Sequence, residues 1–244
     1  MAISSNSLFH YTDSINALKG ILKNGFRLSY CLEEFMAYPM VSFCDIPLSH
    51  AKEHFKNYGN YAIGMKLQWG IENKLNPVLY VEKNSYFRKQ YLNGLKIIPE
   101  IQKLREAGHK TQELRDVLGF VLDTNRFSKP YKGSLIRGST VFENYKFYDE
   151  REWRYIPEIY QNKFEGALDK DDYNAYKIKH PKKPHLKEGL TFKAVDIKYL
   201  LVQSENDIPK IINFLMTLQN LGNSKDIQLL LTKIITAEQI SEDM

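Results

Sequence analysis

Cysteine is scarce in this sequence: the 244 residues include two, Cys31 and Cys44, and neither belongs to a C-x-x-C pair. Two cysteines with that spacing provide no disulfide framework. There is no apolar run of about 18 residues and no charged-then-apolar leader, so the sequence predicts a cytoplasmic protein without a membrane segment. A glycine-rich phosphate loop and a G-x-S-x-G motif are also missing, which removes the signatures of P-loop NTPases and α/β-hydrolases.

Charge of neither sign dominates, because 34 basic residues face 29 acidic ones and give a formal net charge of +5. This mild excess permits an anionic ligand or nucleic acid, but it is smaller than that of a dedicated nucleic-acid binder. Apolar residues make up 43% and charged residues 26%, as in ordinary soluble globular proteins. The aromatic fraction of 13% consists mainly of tyrosine and phenylalanine, which suit both mixed cores and sites for rings or sugars.

The N-terminal region predicts alternating strands and helices. "LFHY" is typical of a short strand, and Thr12 or Asp13 is expected to cap the helix that follows and ends at Gly25. A strand through Val41–Phe43 then ends at an Asp-Ile-Pro turn. Residues 49–59 predict a second helix that ends at a glycine.

The middle of the chain changes to helical spacing. Residues 84–122 predict a helical insertion of two helices broken near Gly108. Residues 124–144 are rich in Lys, Gly and Ser and predict a loop, as do the polar residues 161–190. The last 50 residues predict strand, helix and strand, so that the whole chain belongs to the α+β class.

The segment "YDEREWRYIP" places two carboxylates, Glu150 and Glu152, two residues apart. In a strand these side chains point to one face, while Arg151 and Trp153 point to the other. Like charges on one face cost energy unless a cation or a reaction requires them there. Two interpretations follow: a structural salt-bridge ladder with Arg151, Arg154 and nearby lysines, or a pair of carboxylates that acts in catalysis.

The segment "HAKEH" matches the H-x-x-E-H pattern of one class of zinc enzymes, with His50 and His54 on one face of a helix and Glu53 between them. Zinc binding would require a third protein ligand, and the sequence offers no obvious one. The alternative is a pair of solvated surface histidines. We favour this alternative and assign no metal site.

Other polar side chains lie where strands and helices meet. His10 ends a strand just before a helix, where backbone amides favour an anion, although it also suits a core or edge position. Ser42 and Asp45 can line a cleft or satisfy the turn that follows their strand. Tyr58 and Tyr61 flank a glycine and can form a platform for a flat ring or a packed turn.

Taken together, several segments resemble the AbiGi-type proteins of abortive phage infection systems, which are described as antitoxins. These segments are "FHYTDSINALKGILKNGFRL", "VSFCDIPLSHAKEHFKNYGNYAIGMKLQWG", "NPVLYV", "DEREWRYIP" and the final "LTKI", so the resemblance spans nearly the whole chain. It implies a role in phage defence and a cognate toxin or antitoxin protein as partner.

More distantly, the order of these features is similar to that of ADP-ribosyltransferase-like folds. This resemblance implies a single domain over residues 1–244 with a split mixed β-sheet, the helical insertion at 84–122, and NAD as substrate. It makes Glu152 the carboxylate that grips the nicotinamide ribose, and Glu150 a helper that orients or deprotonates the acceptor. The residues that it assigns to NAD binding are His10, Tyr11, Thr12, Ser42, Tyr58 and Tyr61.

Two functions therefore remain open from the sequence. In the first, the protein is an ADP-ribosyltransferase of phage defence that modifies a protein, DNA or RNA acceptor. In such a reaction a carboxylate near the ribose stabilises the positive charge that develops as nicotinamide leaves. In the second, the protein is an antitoxin that neutralises a partner toxin by contact and catalyses nothing.

Overall fold

The computed structural model describes residues 5–33, 36–109, 111–137, 140–160, 166–181, 186 and 188–243. Within these residues, helices and strands alternate irregularly and confirm the α+β class. No helix in this part of the chain is long and apolar enough to span a membrane.

The strands carry the central sheet and two small accessory sheets. In chain order they are β1 (Ser7–Thr12), β2 (Ser29–Leu32), β3 (Met36–Cys44), β4 (Tyr61–Lys66), β5 (Asn76–Pro77), β6 (Leu79–Val81), β7 (Ser128–Pro130), β8 (Gly133–Arg137), β9 (Thr140–Tyr145), β10 (Glu152–Tyr155), β11 (Leu168–Asp169), β12 (Ile197–Val202) and β13 (Ile234–Thr236).

The helices pack on both sides of the sheet or form the insertion. They are α1 (Ile15–Asn24), α2 (Lys52–Tyr58), α3 (Leu67–Glu72), α4 (Tyr86–Leu95), α5 (Ile98–Glu106), α6 (Gln112–Arg126), α7 (Lys170–Lys179), α8 (Ile208–Leu215), α9 (Ser224–Leu231) and α10 (Ala237–Asp243).

The central sheet is mixed, with the order β13-β12-β4-β1-β3-β10-β5. Only the β12–β13 pair of this series is parallel. The two halves of the long strand β3 pair with different strands. Its second half pairs with β10 and, at Cys44, with β1, and its first half pairs with β2 and β11. The second half of β3 therefore places β1 and β10 on either side of it.

The register of these strands determines which side chains share a face. Cys44 of β3 lies opposite Phe9 of β1 and also opposite Glu152 of β10. Directly opposed residues point to the same face, and neighbours in a strand point to opposite faces. Phe9 and Glu152 therefore lie on one face of the sheet, and His10 lies on the other.

The two faces have different cores. One face carries the main apolar cluster, in which Leu8, Phe43 and Ile63 are fully buried with α1 and α8 packed over them. The other face carries a smaller cluster around Phe9 and Phe55, formed with α2 and α10. The carboxylate segment borders this second face.

The N-terminal predictions hold with one correction. Ser14, and not Thr12 or Asp13, caps α1 by accepting a hydrogen bond from the Ala17 N–H at 3.2 Å. Gly25 ends the helix with φ 80°, a left-handed value that glycine adopts without a steric penalty.

The insertion contains three helices where the sequence predicts two. Gly108 has φ 95° and separates α5 from α6, as expected. Its small core consists of Ile101, Leu118 and Leu122. The last helix continues to Arg126, beyond the predicted end, because its last turn buries Asn125 and Arg126.

Three other predictions from the sequence are wrong. Residues 124–144, predicted as a loop, contain β7 and the hairpin β8–β9. The prediction missed these strands because short strands in a Lys- and Gly-rich segment lack a clear alternating pattern. The predicted loop at 161–190 contains β11 and α7, although residues 161–165, 182–185 and 187 lie outside the described part. The segment "IQLLL", predicted as part of the final strand, is helical, and Asn223 and Asp226 start this helix with a capping box.

Candidate functional site

Glu150 and Glu152 lie at the start of β10, but not both within the strand. Glu150 ends a short 3-10 helix (Phe147–Glu150), and Arg151 adopts φ 45° before the strand begins at Glu152. The expectation of one strand face is therefore wrong for Glu150. The turn nevertheless brings the two carboxylates together, since both are bound by one lysine.

That lysine is Lys129, in the middle of β7. Its Nζ lies 2.7 Å from Oε2 of Glu150 and 2.7 Å from Oε2 of Glu152. The two carboxylate side chains are 3% and 5% exposed, and that of Lys129 is 15% exposed. A largely buried ammonium group therefore faces both glutamates.

Arg154 provides the second cation, two residues along β10 from Glu152 and on the same face. It is fully buried, its Nε donates to Oε1 of Glu152 at 2.8 Å, and its terminal NH2 donates to Glu33 at 2.6 Å. Trp153 points the other way, as predicted, and both Trp153 and Tyr155 pack against the main core. The ladder interpretation is therefore confirmed for Arg154 and a lysine.

Two hydroxyl groups complete the hydrogen bonds of the carboxylates. Ser42 donates from Oγ to Oε1 of Glu152 at 2.6 Å, and the Tyr58 hydroxyl donates to Oε1 of Glu150. The backbone N–H of Glu152 donates to the Tyr80 hydroxyl at 2.7 Å. Each of the four carboxylate oxygens therefore accepts a hydrogen bond from inside the protein. We refer to Glu33, Ser42, Tyr58, Lys129, Glu150, Glu152 and Arg154 as the carboxylate network.

Electrostatics keep the centre of this network ionised. Burial opposes the charged form of Glu152, but Arg154 and Lys129 outweigh it and lower the pKa of this carboxyl. Burial also opposes the charge of Lys129, yet Glu152 and Glu150 raise its pKa well above the usual value. Burial raises the pKa of Glu33, against the influence of Arg154. Three carboxylates thus share two cations, and the pKa of Glu33 is shifted upward while that of Glu152 is shifted downward.

His10 lies on the far side of the sheet from Glu152. Its ring centroid is 5.1 Å from that of Phe26 and 5.6 Å from that of Phe43, both in the main core. Nδ1 lies 2.9 Å from the backbone oxygen of Ser42. Burial lowers the pKa of His10, which favours the neutral ring. This placement matches the core alternative for His10, and it separates the ring from the carboxylates.

Thr12 and Tyr61 lie on the same face of the sheet as His10, opposite the face of Glu152. They lie opposite each other in the β1–β4 ladder. The Tyr61 hydroxyl donates to Asp207 at 2.9 Å, and burial raises the pKa of Tyr61 to about 12. Neither residue approaches the carboxylate network by any described contact.

Tyr11 reaches the network indirectly, through an aromatic stack. Its ring lies 5.9 Å from that of His54, which in turn lies 5.7 Å from that of Tyr58. Tyr58 then bonds to Glu150. The Tyr11 hydroxyl is buried, and no described atom forms a hydrogen bond with it. Of the eight residues predicted for the site, Ser42, Tyr58, Glu150 and Glu152 come together directly.

The histidines of "HAKEH" do not behave as a pair. His50 is exposed in the turn before α2, with Nδ1 3.1 Å from the Ser49 hydroxyl. His54 is 6% exposed and lies between two tyrosine rings, so the expectation of two solvated histidines is wrong for it. The described residues contain no group of three or more His, Cys, Asp or Glu side chains placed to hold a metal ion.

A small, partly open cavity, with room for little more than a water molecule, lies beside the network. Glu33 and Lys129 line it on one side, and Arg88, Tyr91 and Asn125 line it from the helical insertion. The residues that the sequence assigned to NAD are not among those that line this cavity. Glu33 and Lys129 are thus the members of the carboxylate network that border this cavity.

Sequence reasoning missed Lys129 and Glu33. Lys129 belongs to a strand of three residues in a segment that resembles a loop, and among the described strands β7 pairs only with β6. Glu33 lies 121 residues before its partner Arg154. No local pattern marks either residue, although the predicted ladder did require nearby lysines.

Comparisons with known proteins agree on one family. The family model described as "Putative abortive phage resistance protein AbiGi, antitoxin" matches residues 28–203. The chain is 28% identical over 226 residues to the abortive phage resistance protein AbiGi of Lactococcus lactis subsp. cremoris, which covers 84% of this chain and 88% of that protein. No solved structure matches. The whole carboxylate network falls within the matched residues, whereas His10 precedes them.

Proposed function

The chain belongs to the AbiGi family of abortive phage resistance proteins, and we propose that it acts there as an antitoxin that neutralises a partner toxin by direct binding. The description of the matching family as an antitoxin supports this role. In this proposal the carboxylate network is structural. It joins β3, β7 and β10 and thereby fixes the insertion to the central sheet.

The observation that carries the proposal is the occupancy of the carboxylate oxygens. A carboxylate that grips a ribose must accept a hydrogen bond from the ligand. Glu152, the residue assigned to the ribose, already accepts two hydrogen bonds on each oxygen, from Ser42, Lys129 and Arg154. Displacing a buried, charge-assisted donor leaves an uncompensated charge, which costs several kcal/mol. The network is therefore built for stability more than for ligand exchange.

The helical insertion offers a surface for a protein partner. Phe120 on α6 is 74% exposed, and Phe87, Leu104 and Val117 on the same three helices are 49%, 44% and 45% exposed. Contiguous exposed apolar surface is typical of protein–protein contact sites, and these four side chains belong to the three helices of one insertion. We therefore propose that the toxin binds to the α4–α6 insertion.

Co-expression tests this function directly. The protein is produced with the product of the neighbouring gene, and complex formation is measured by affinity purification while growth reports neutralisation. Phe120→Asp should weaken both, since it places a charge in an apolar contact. Ile178→Asp is the matched control, because Ile178 is 83% exposed on α7 and outside the insertion.

Neutralisation in a purified system without NAD separates contact from catalysis. An antitoxin that works by binding inhibits its partner stoichiometrically under these conditions. Failure to form a complex on co-expression, or neutralisation that requires NAD, would contradict the proposal.

A second candidate function is ADP-ribosyl transfer, favoured by the convergence of Ser42, Glu150 and Glu152 beside a cavity that Lys129 lines. The NAD pyrophosphate would bind Lys129 and free a carboxylate. The bond from ribose C1′ to nicotinamide would break, Glu152 would stabilise the developing charge, and the acceptor would attack C1′ as its proton passes to Glu150.

Labelled NAD tests this candidate. The wild-type protein is incubated with labelled NAD and a lysate of phage-infected cells, and labelled macromolecules and free nicotinamide are measured. Glu150→Gln should abolish labelling, while the exposed Glu72→Gln on α3 should preserve it. Absence of NAD loss with the wild-type protein rejects the candidate and leaves the antitoxin proposal intact.

A further inference from the structure

Two short segments meet at the base of the hairpin β8–β9. Tyr131 lies two residues before β8 begins, and Tyr148 lies three residues after β9 ends. The pairing of Gly133 with Tyr145 brings the two ends of the hairpin side by side. The Tyr148 N–H then donates to the Tyr131 carbonyl at 3.4 Å. The sheet pairing therefore holds these two tyrosines next to each other.

Their rings pack against each other at an angle. The ring centroids of Tyr131 and Tyr148 are 5.5 Å apart with an interplanar angle of 39°. Tyr148 is supported from below by Tyr80, whose ring centroid lies 5.3 Å away at 74°. Because 43% of Tyr148 remains exposed, its ring is accessible to a ligand.

Two lysines flank these rings. Lys146 Nζ lies 5.9 Å from the ring centroid of Tyr131 and 5.7 Å from that of Tyr148. Lys132 Nζ lies 6.0 Å from the Tyr131 ring, and this side chain is exposed. We call Tyr131, Lys132, Lys146 and Tyr148 the tyrosine–lysine platform. Asp149 pairs with Lys146 at 2.7 Å, so Lys132 is the better placed of the two to bind an anion.

We propose that the tyrosine–lysine platform binds single-stranded nucleic acid. Unpaired bases stack on tyrosine faces whatever their sequence, and this stacking adds to the affinity that the phosphate contacts supply. Phosphates spaced along the strand contact Lys132 and Lys146. In a duplex the bases are already stacked on each other and do not present their faces to the rings. The platform therefore selects single strands.

This inference is independent of the proposed antitoxin function. Strand binding on the platform requires neither the toxin nor NAD, and the platform lies on the hairpin side of the carboxylate network. Tyr80 links the two, because its hydroxyl accepts the Glu152 N–H and its ring supports Tyr148.

Fluorescence anisotropy with labelled 12-nucleotide oligouridine, 12-nucleotide oligothymidine and a 12-base-pair duplex tests the proposal at low salt. Both single strands should bind more tightly than the duplex. Tyr148→Ala should weaken their binding by about 5- to 150-fold, as expected for the loss of one stacked base. Tyr86→Ala is the matched control, since Tyr86 is 76% exposed on α4 and should bind as the wild type does.

The lysines are tested through salt dependence. The double variant Lys132→Ala/Lys146→Ala should reduce the slope of log K against log salt by about 1.4, because each single-strand phosphate contact contributes about 0.7. Lys225→Ala, an exposed lysine on α9, should leave the slope unchanged. Asp149→Asn should tighten binding, since it frees Lys146.

Thermal unfolding of each variant confirms that it is folded, and Tyr148→Leu replaces Tyr148→Ala if the latter is not. The proposal is overturned if the wild type binds no single strand at low salt, or if it binds the duplex as tightly. Equal effects of the Tyr148 and Tyr86 variants would overturn it as well. So would a Tyr148 variant that loses only the neighbouring gene's product, since the platform would then be a protein contact.

Discussion

Lys129 Nζ lies 2.7 Å from Oε2 of Glu152, with 15% of the lysine side chain and 5% of the glutamate side chain exposed. The two residues are 23 positions apart, on strands that are not neighbours in one sheet. Their ion pair therefore connects the small β6–β7 sheet to the central sheet. The same lysine binds Glu150, so one ammonium group neutralises much of the charge of two buried carboxylates.

Replacing Lys129 by methionine should be strongly destabilising. The variant leaves Glu150 and Glu152 with one fewer cation, and removing one partner of a buried ion pair costs about 3–5 kcal/mol. The free energy of unfolding from urea titration measures the loss. Lys103→Met is the matched control: Lys103 pairs with Glu100 at 3.0 Å but is 70% exposed, so we expect a change below about 1 kcal/mol. Equal effects of the two variants would mean that the network does not stabilise the fold.

The lowered pKa of Glu152 predicts acid sensitivity. In the folded state the pKa of the Glu152 carboxyl lies below its ordinary value of 4.5. Its contribution to stability is therefore complete above that pH and is lost as the pH falls. Glu33 has a raised pKa in the folded state and contributes with the opposite sign. Urea unfolding between pH 7 and pH 3 should therefore show a loss that is shallower in Glu152→Gln and steeper in Glu33→Gln. If neither substitution changes the pH dependence of the free energy of unfolding, the directions given for the two pKa shifts are wrong.

Local signals in the sequence were sufficient for part of this structure. The strand at "LFHY", the helix end at Gly25 and the break at Gly108 each depend on a few adjacent residues, and each is found where predicted. The pairing of Glu150 and Glu152 with cations was also predictable, because two nearby carboxylates require a partner.

The face assignment of His10 was not predictable in the same way. The alternation of β1 separates His10 from Phe9, but which of them shares a face with Glu152 depends on register. That register is set by Cys44, which lies opposite both Phe9 and Glu152. Contacts between residues more than 100 positions apart leave no periodic trace in the sequence, and so His10 and Glu152 could be placed in one site only by resemblance.

Gly59 should tolerate no side chain. Its φ is 99°, and a Cβ atom at this position would lie 2.3 Å from the Thr12 carbonyl oxygen. Gly59→Ala combines backbone strain with a clash against backbone atoms, so we expect a loss of at least about 1–3 kcal/mol. Gly94→Ala within α4 meets no atom within 4 Å and should instead stabilise the protein by about 0.5–1 kcal/mol. Thermal unfolding of both variants measures this difference in sign.

Tyr58→Phe isolates one hydrogen bond of the network. The variant keeps the ring that stacks on His54 and removes the hydroxyl that donates to Glu150. A buried carboxylate that loses one donor should cost about 1–3 kcal/mol. Tyr86→Phe, at a 76% exposed position, should change nothing measurable in the same urea titration. If Tyr58→Phe unfolds at the wild-type midpoint, the hydrogen bond from Tyr58 does not stabilise Glu150, and Lys129 alone holds this carboxylate. The aromatic stack from Tyr11 to Tyr58 would then not be coupled to the carboxylates.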